Sequence, residues 1–172
     1  MLDKSTFLNL LKKHDIKFDL YEHPPLHTVE ESKKMRGKIQ GAHTKNLFLK
    51  NKKNQFFLFS CIESTEVDLK ELKKNLCLGN ISFAKDKYLD EILNVKPGSV
   101  TPFGLLNDKM NIINFFLDAK ILNHETVNFH PLTNTSTINI KTQDFLSFMK
   151  NNNKKIKILN FKTYIINNER YN

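Results

Sequence analysis

The chain has no tryptophan, and only five glycines, five prolines and two cysteines in 172 residues. The glycine-rich phosphate loops are absent with the glycines: there is no P-loop, no dinucleotide-binding turn and no G-x-S-x-G nucleophile elbow. Cys61 and Cys77 are too few for a disulfide scaffold and form no CxxC knuckle, and no HExxH occurs. His23 and His27 are four apart, but Pro24-Pro25 lies between them and prevents a helical metal pair. No metal and no cofactor is therefore expected. No run approaches the ~18 consecutive apolar residues of a membrane span. Residues 1–13 carry Asp and Lys in place of a signal-peptide core. These absences point to a soluble protein of a reducing compartment, the cytoplasm.

Arginine is nearly missing too. Arg36 and Arg170 stand against 25 lysines, and the formal net charge is +9. Such a balance suggests a polyanionic partner, nucleic acid first. An AT-rich genome acting on neutral surface positions would produce the same Lys, Asn and Ile excess, so charge alone leaves both readings open. Lysine suits phosphate contact, whereas base reading more often uses bidentate arginine. An RNA partner would then be held by backbone and shape.

What is abundant is phenylalanine, with 14 residues, enough with the aliphatic residues for one real core. Residues 5–14 read as an amphipathic helix and 16–21 as a short alternating strand. Thr28-Val29-Glu30-Glu31 has capping-box spacing, which predicts a helix over 28–35. Strands are predicted at 46–50 and 55–61 across an Asn51-Lys52-Lys53-Asn54 turn, and again at 81–84, 112–117, 127–129, 135–140 and 156–161. Helices are predicted from Asp68 to before Gly79, over 86–93 and over 142–150. Without a steady βαβ rhythm, the expectation is a mixed α+β fold, one compact mixed sheet with helices packed on it. One domain over 1–161 with a loose tail at 162–172 follows.

Three polar segments stand out. His43-Thr44-Lys45-Asn46 follows a glycine and precedes an apolar strand. Gly98-Ser99-Val100-Thr101-Pro102-Phe103-Gly104 is a stiff turn offering backbone N–H groups. Asn128-Phe129-His130-Pro131 ends a strand. Taken singly, each has a plain structural reading: a solvated strand-edge lysine, a loop, a hydrogen-bonded histidine beside a proline. Cys61, in an apolar strand, reads as core.

Taken together and in order, the segments resemble the YbaK/prolyl-tRNA-editing domain family, and within it the free-standing prolyl-tRNA deacylase branch. His23-Pro24-Pro25 and Asp118-Ala119 agree, and the similarity runs over residues 6–159. The resemblance implies hydrolysis of the ester that joins a wrong amino acid, alanine, to the 3′-terminal ribose of tRNA(Pro). Prolyl-tRNA synthetase is implied as a possible partner. It implies that Lys45 is the central functional residue, with Asn46 placing the ribose and the aminoacyl group. His130 would orient substrate or water, a general-base role staying open. Backbone N–H groups of Gly98 to Pro102 would hold the terminal adenosine or the developing oxyanion, and Thr44, Ser99, Val100, Thr101, Phe103 and Asn128 are implied as substrate-binding. Val29, Ser32 and Met35, three apart on one helix face, would wall the amino-acid pocket, or else simply be core. The related Cys-tRNA(Pro) deacylase branch, a non-catalytic tRNA- or synthetase-associated module, and a regulator that binds aminoacyl adenosine remain as alternatives.

Overall fold

The computed structural model describes residues 1–25, 34, 37 and 39–167. The helix expected over 28–35, with Val29, Ser32 and Met35, lies outside the described residues. Among them, no helix is long and apolar enough to cross a membrane.

The chain opens with α1 (Lys4–Lys13), capped by Asp3, whose carboxylate accepts from the Thr6 N–H at 2.8 Å. Then come β1 (Phe18–Glu22), β2 (Ala42–Asn51), β3 (Phe56–Ile62), α2 (Leu69–Asn75) and β4 (Ile81–Phe83). A short α3 (Asp86–Tyr88) runs into a π-turn at Leu89–Leu93, where one continuous helix was expected. A 3₁₀ turn at Pro102–Leu106 leads to β5 (Ile113–Asp118), β6 (Thr126–Phe129), β7 (Ser136–Lys141), α4 (Thr142–Asn151) and β8 (Ile156–Leu159). The segment expected to trail as a loose tail adds an edge strand, β9 (Ile166–Asn167), antiparallel to β8. The predicted Asn51–Asn54 turn forms: Asn51 Oδ1 accepts from the N–H groups of Lys53 and Gln55, and Asn54 takes φ +59°.

These strands make one mixed sheet in the order β1-β7-β6-β2-β3-β5-β8-β9, with β4 also on β2. Central strands are covered on both faces, which is why β3 is buried at six consecutive positions from Phe56 to Cys61. The larger core joins α1 and α4 to the sheet through phenylalanine: Phe7 to Phe103 at 4.4 Å, Phe103 to Phe129 at 5.6 Å, Phe129 to Phe145 at 4.8 Å between ring centroids. A smaller core under α2 gathers Leu49, Phe57, Phe59, Cys61, Leu72 and Phe116.

Asp118, at the end of β5, is a fully buried carboxylate with three donors: the Ile62 N–H (3.2 Å), the Thr65 hydroxyl (2.8 Å) and the Lys120 N–H (3.0 Å). It ties the end of β3 to the turn after β5. Asp118→Ala orphans those donors and should destabilise the fold by about 3 kcal/mol. Urea unfolding followed by circular dichroism checks this.

Candidate functional site

Strand β2 starts four residues earlier than its apolar run suggested, so His43, Thr44 and Lys45 lie inside a strand. Gly41, at φ +90°, makes that start possible: a Cβ there would clash with Thr126 Oγ1 and meet Thr126 O at 2.8 Å.

One edge of β2 is continuously paired with β3. The other is shared. Parallel β6 pairs with Ala42 and His43, and antiparallel β4 pairs with Leu49 to Asn51. Between the two ladders, Thr44 to Phe48 has no strand neighbour on that edge among the described residues. The direction of the peptide groups follows from two bonds: His43 O accepts from Glu63 N at 2.9 Å on the β3 side, and Phe48 O accepts from Ala84 N at 2.9 Å on the other. In an antiparallel ladder both groups of a residue point the same way and alternate along the strand. Asn46 therefore aims its N–H and C=O into the gap. This is the sheet's point of divergence between β6 and β2, the kind of place where open α/β sheets bind ligands.

Lys45 and Asn46 flank this edge from opposite faces, as strand neighbours must. Lys45 lies opposite Cys61, on the side of the smaller core. It is half-buried, and among the described residues its ammonium has neither an ion pair nor a hydrogen-bond acceptor. Burial pushes the Cys61 thiol up to about 12 although the Lys45 charge pulls it down. The thiol is thus no nucleophile, as expected of a core cysteine. Asn46 lies opposite Ser60 on the larger-core side. The fully buried Ser60 hydroxyl donates to Asn46 Oδ1 at 2.5 Å, which fixes the amide; among the described residues its NH₂ has no acceptor.

Thr44 and Asn128 hold the mouth of the gap. The Thr44 hydroxyl donates to Asn128 O at 2.8 Å. The buried Asn128 side chain donates to Gln40 O and Ala42 O and accepts from Asn139 Nδ2. Its side chain is spent on structure. Sequence reasoning gave it to substrate because the pattern Asn-Phe-His-Pro does not show which side chains are already bonded.

His130 follows β6 directly. Its Nδ1 is 3.0 Å from Ser136 O, and a carbonyl only accepts, so Nδ1 carries the proton and Nε2 presents a lone pair. Burial holds its pKa below 6.5; the bond to Ser136 opposes this and a charge on His23 would add to it. His23 sits with its ring 6.4 Å from that of His130, bonded to Pro24 O and to the Thr137 hydroxyl. In the sequence His23 counts as an excluded metal ligand and as part of the His23-Pro24-Pro25 similarity, with no role at the site. Its place beside His130 depends on β1 pairing with β7, a contact that no local pattern reveals. Among the described residues, no group of three His, Cys, Asp or Glu is placed to hold a metal ion.

The 98–103 turn reaches the same region through the β6–β7 connection, since a Cβ on Gly98 would lie 3.5 Å from Asn134 Nδ2. Gly98 is needed for its φ of +83°, not for room. Among the described residues, the N–H groups of Gly98, Val100 and Thr101 have no acceptor, while Ser99 N and Phe103 N are bonded within the turn. Ser99, Thr101, Pro102 and Phe103 are buried, Phe103 as a central ring of the larger core. What the turn can offer a ligand is its backbone. Pattern reading had treated Phe103 as a contact residue; its ring is fully enclosed.

A separate open cavity of about 560 Å³ lies between β1, β7 and the start of β6, lined by Asp19, Tyr21, Gly41, Glu125, Thr126 and Asn139, among others. It includes neither Lys45, Asn46 nor His130, and its two carboxylates would repel phosphate. The β2 gap is the better site for an anionic ligand.

The sequence profile of the aminoacyl-tRNA editing domain matches residues 23–148. A Bos taurus protein named prolyl-tRNA synthetase associated domain-containing protein 1 is 39% identical over 151 residues, 85% of this chain and 88% of that one. The prolyl-tRNA editing protein ProX of Acetoanaerobium sticklandii is 29% identical over 157 residues, 91% of this chain and 96% of that one. A solved structure described as a candidate trans-editing enzyme for prolyl tRNA synthetase shares the fold, with TM-score 0.65 and 17% identity over 91% of this chain and 96% of that one. The matched span contains β2 with its free edge, the Gly98 turn and the β6–β7 connection; the chain belongs to the YbaK-type aminoacyl-tRNA editing domain family, related to prolyl-tRNA editing proteins.

Proposed function

We propose that the chain is a trans-acting deacylase that hydrolyses Ala-tRNA(Pro). The observation that carries this reading is the edge of β2 left open between β6 and β4, which among the described residues is bordered by the unpartnered Lys45 ammonium on one face, the oriented Asn46 amide on the other and the Asn46 peptide N–H between them. An aminoacyl ester needs no covalent nucleophile, only an oriented water and donors for the oxyanion. In this reading His130 Nε2 takes a proton from water as its oxygen attacks the ester carbon. Lys45, the Asn46 amide and the Asn46 N–H stabilise the oxyanion. The ribose oxygen leaves with the proton returned by the imidazolium, giving free alanine and uncharged tRNA. The open N–H groups of Gly98, Val100 and Thr101 hold the terminal adenosine. Val29, Ser32 and Met35 would close the amino-acid pocket.

Such an activity answers a limit of binding energy. A synthetase pocket sized for proline gains only ~1–3 kcal/mol against a residue smaller by a few methylenes, so alanine is charged in error. A second pocket too small for proline completes the sieve. Its partner is then the acceptor end of tRNA(Pro), with prolyl-tRNA synthetase in attendance, as the names of the vertebrate relatives suggest.

The test is a panel of alanyl-, cysteinyl-, seryl- and prolyl-tRNA(Pro). Alanyl-tRNA(Pro) should be cleared at least ~10-fold faster than the rest, the discrimination a few methylenes allow. Faster loss of the cysteinyl ester would move the chain to the cysteine branch. Loss of none, with tight RNA binding, would make it a binding module.

A further inference from the structure

Among the large exposed hydrophobic residues described, Phe83 is the only aromatic one, at 61% relative exposure. An isolated exposed apolar side chain is ordinary. The position of this one is not. Phe83 pairs directly with Leu49, and directly opposed residues in an antiparallel pair share a face. Leu49 belongs to the smaller core, so Phe83 lies on the same face as Lys45, four residues back along β2 and about 13 Å away at the usual strand rise. It stands at the end of the gap that β4 closes.

Lysines border it. Lys85 is exposed two positions on, and Lys73 of α2 donates to Asn80 Oδ1 at 3.4 Å, beside the start of β4. An exposed ring in a lysine-rich stretch is the kind of surface on which proteins stack an unpaired base while nearby ammonium groups neutralise its phosphates.

We infer that Phe83 is a stacking platform for a base in the single-stranded 3′ end of an RNA whose terminal ribose lies at Lys45. This extends the proposed function and rests on it for the direction of the strand. With the unpartnered Lys45 ammonium on the same face, the net charge of +9 favours a polyanion over a protein surface here. Duplex RNA does not expose base faces, so the occupant is the unpaired end.

Binding of uncharged RNA, measured by fluorescence anisotropy at fixed salt, tests the inference independently of turnover. Two hairpins are compared, one with an unpaired 3′ tail and one trimmed flush. Phe83→Leu keeps an apolar side chain but removes the π-face. It should weaken binding of the tailed hairpin about tenfold and leave the flush hairpin unchanged, whereas Phe83→Trp should retain tight binding. Equal affinity of Phe83→Leu and wild type for the tailed hairpin, or an equal loss on both hairpins, overturns the platform. If turnover of Ala-tRNA(Pro) is absent while Phe83 still selects the tail, the deacylase reading fails alone. If turnover is intact and Phe83 is irrelevant to the tail, the platform fails alone.

Discussion

Lys45→Ala should lower kcat/KM for Ala-tRNA(Pro) hydrolysis by about 10²–10³-fold, the loss typical when one preorganised oxyanion donor is removed. The effect should fall on catalysis rather than on folding. The ammonium has no protein acceptor among the described residues, so truncation orphans nothing and stability should change by less than ~0.5 kcal/mol. That separation sets Lys45 apart from Asp118, whose three donors make it structural. Single-turnover deacylation beside thermal unfolding distinguishes the two behaviours. Full activity in Lys45→Ala would remove the residue from the mechanism.

His130→Gln should reduce kcat by about 10²-fold or more, within the range for a positioned general base. Its pH signature is more specific than its size. The ring is active while neutral, with Nδ1–H held by Ser136 O and the Nε2 lone pair free. Activity is therefore present above the pKa and lost as pH falls through it. Because burial lowers that pKa beneath 6.5, the acid limb of kcat/KM should lie below pH 6.5 and the profile should be flat from there to neutrality. In His130→Gln the acid limb should vanish from what activity remains, after subtraction of spontaneous ester loss. A limb that survives the substitution would belong to another group, and His130 would then only position the substrate.

The three signature segments were legible in the sequence because each is a local pattern: a polar run entering an apolar strand, a Gly-Pro turn, a strand ending at His-Pro. The mixed sheet was legible too, since alternation and turn residues are local. What gives those segments meaning was not. That β6 and β4 share one edge of β2 and leave Asn46 facing a gap depends on pairings between residues 85 positions apart for β6 and 30 to 34 apart for β4, and strand register is set by such contacts. The early start of β2 was hidden because Thr44 to Asn46 interrupt the apolar alternation where, among the described residues, one edge of the strand is open. Asn128 and Phe103 were credited with ligand contacts for the same reason: sequence shows a residue's chemistry but not whether it is already bonded or enclosed. Neither His23 nor Phe83 could be placed at the site from sequence, because each acquires its neighbour only through the sheet.

The proposed mechanism needs the aminoacyl end of the RNA to lie in the β2 gap. Amide chemical shifts of the isotope-labelled chain, titrated with a non-hydrolysable 3′-alanylamido adenosine, test it most directly. The predicted result is that the largest perturbations fall on Asn46, Val100 and Thr101, with the Asn46 side-chain NH₂ and the His130 ring moving in step. Perturbations confined to the cavity between Asp19, Glu125 and Asn139, with the Asn46 amide unmoved, would contradict it.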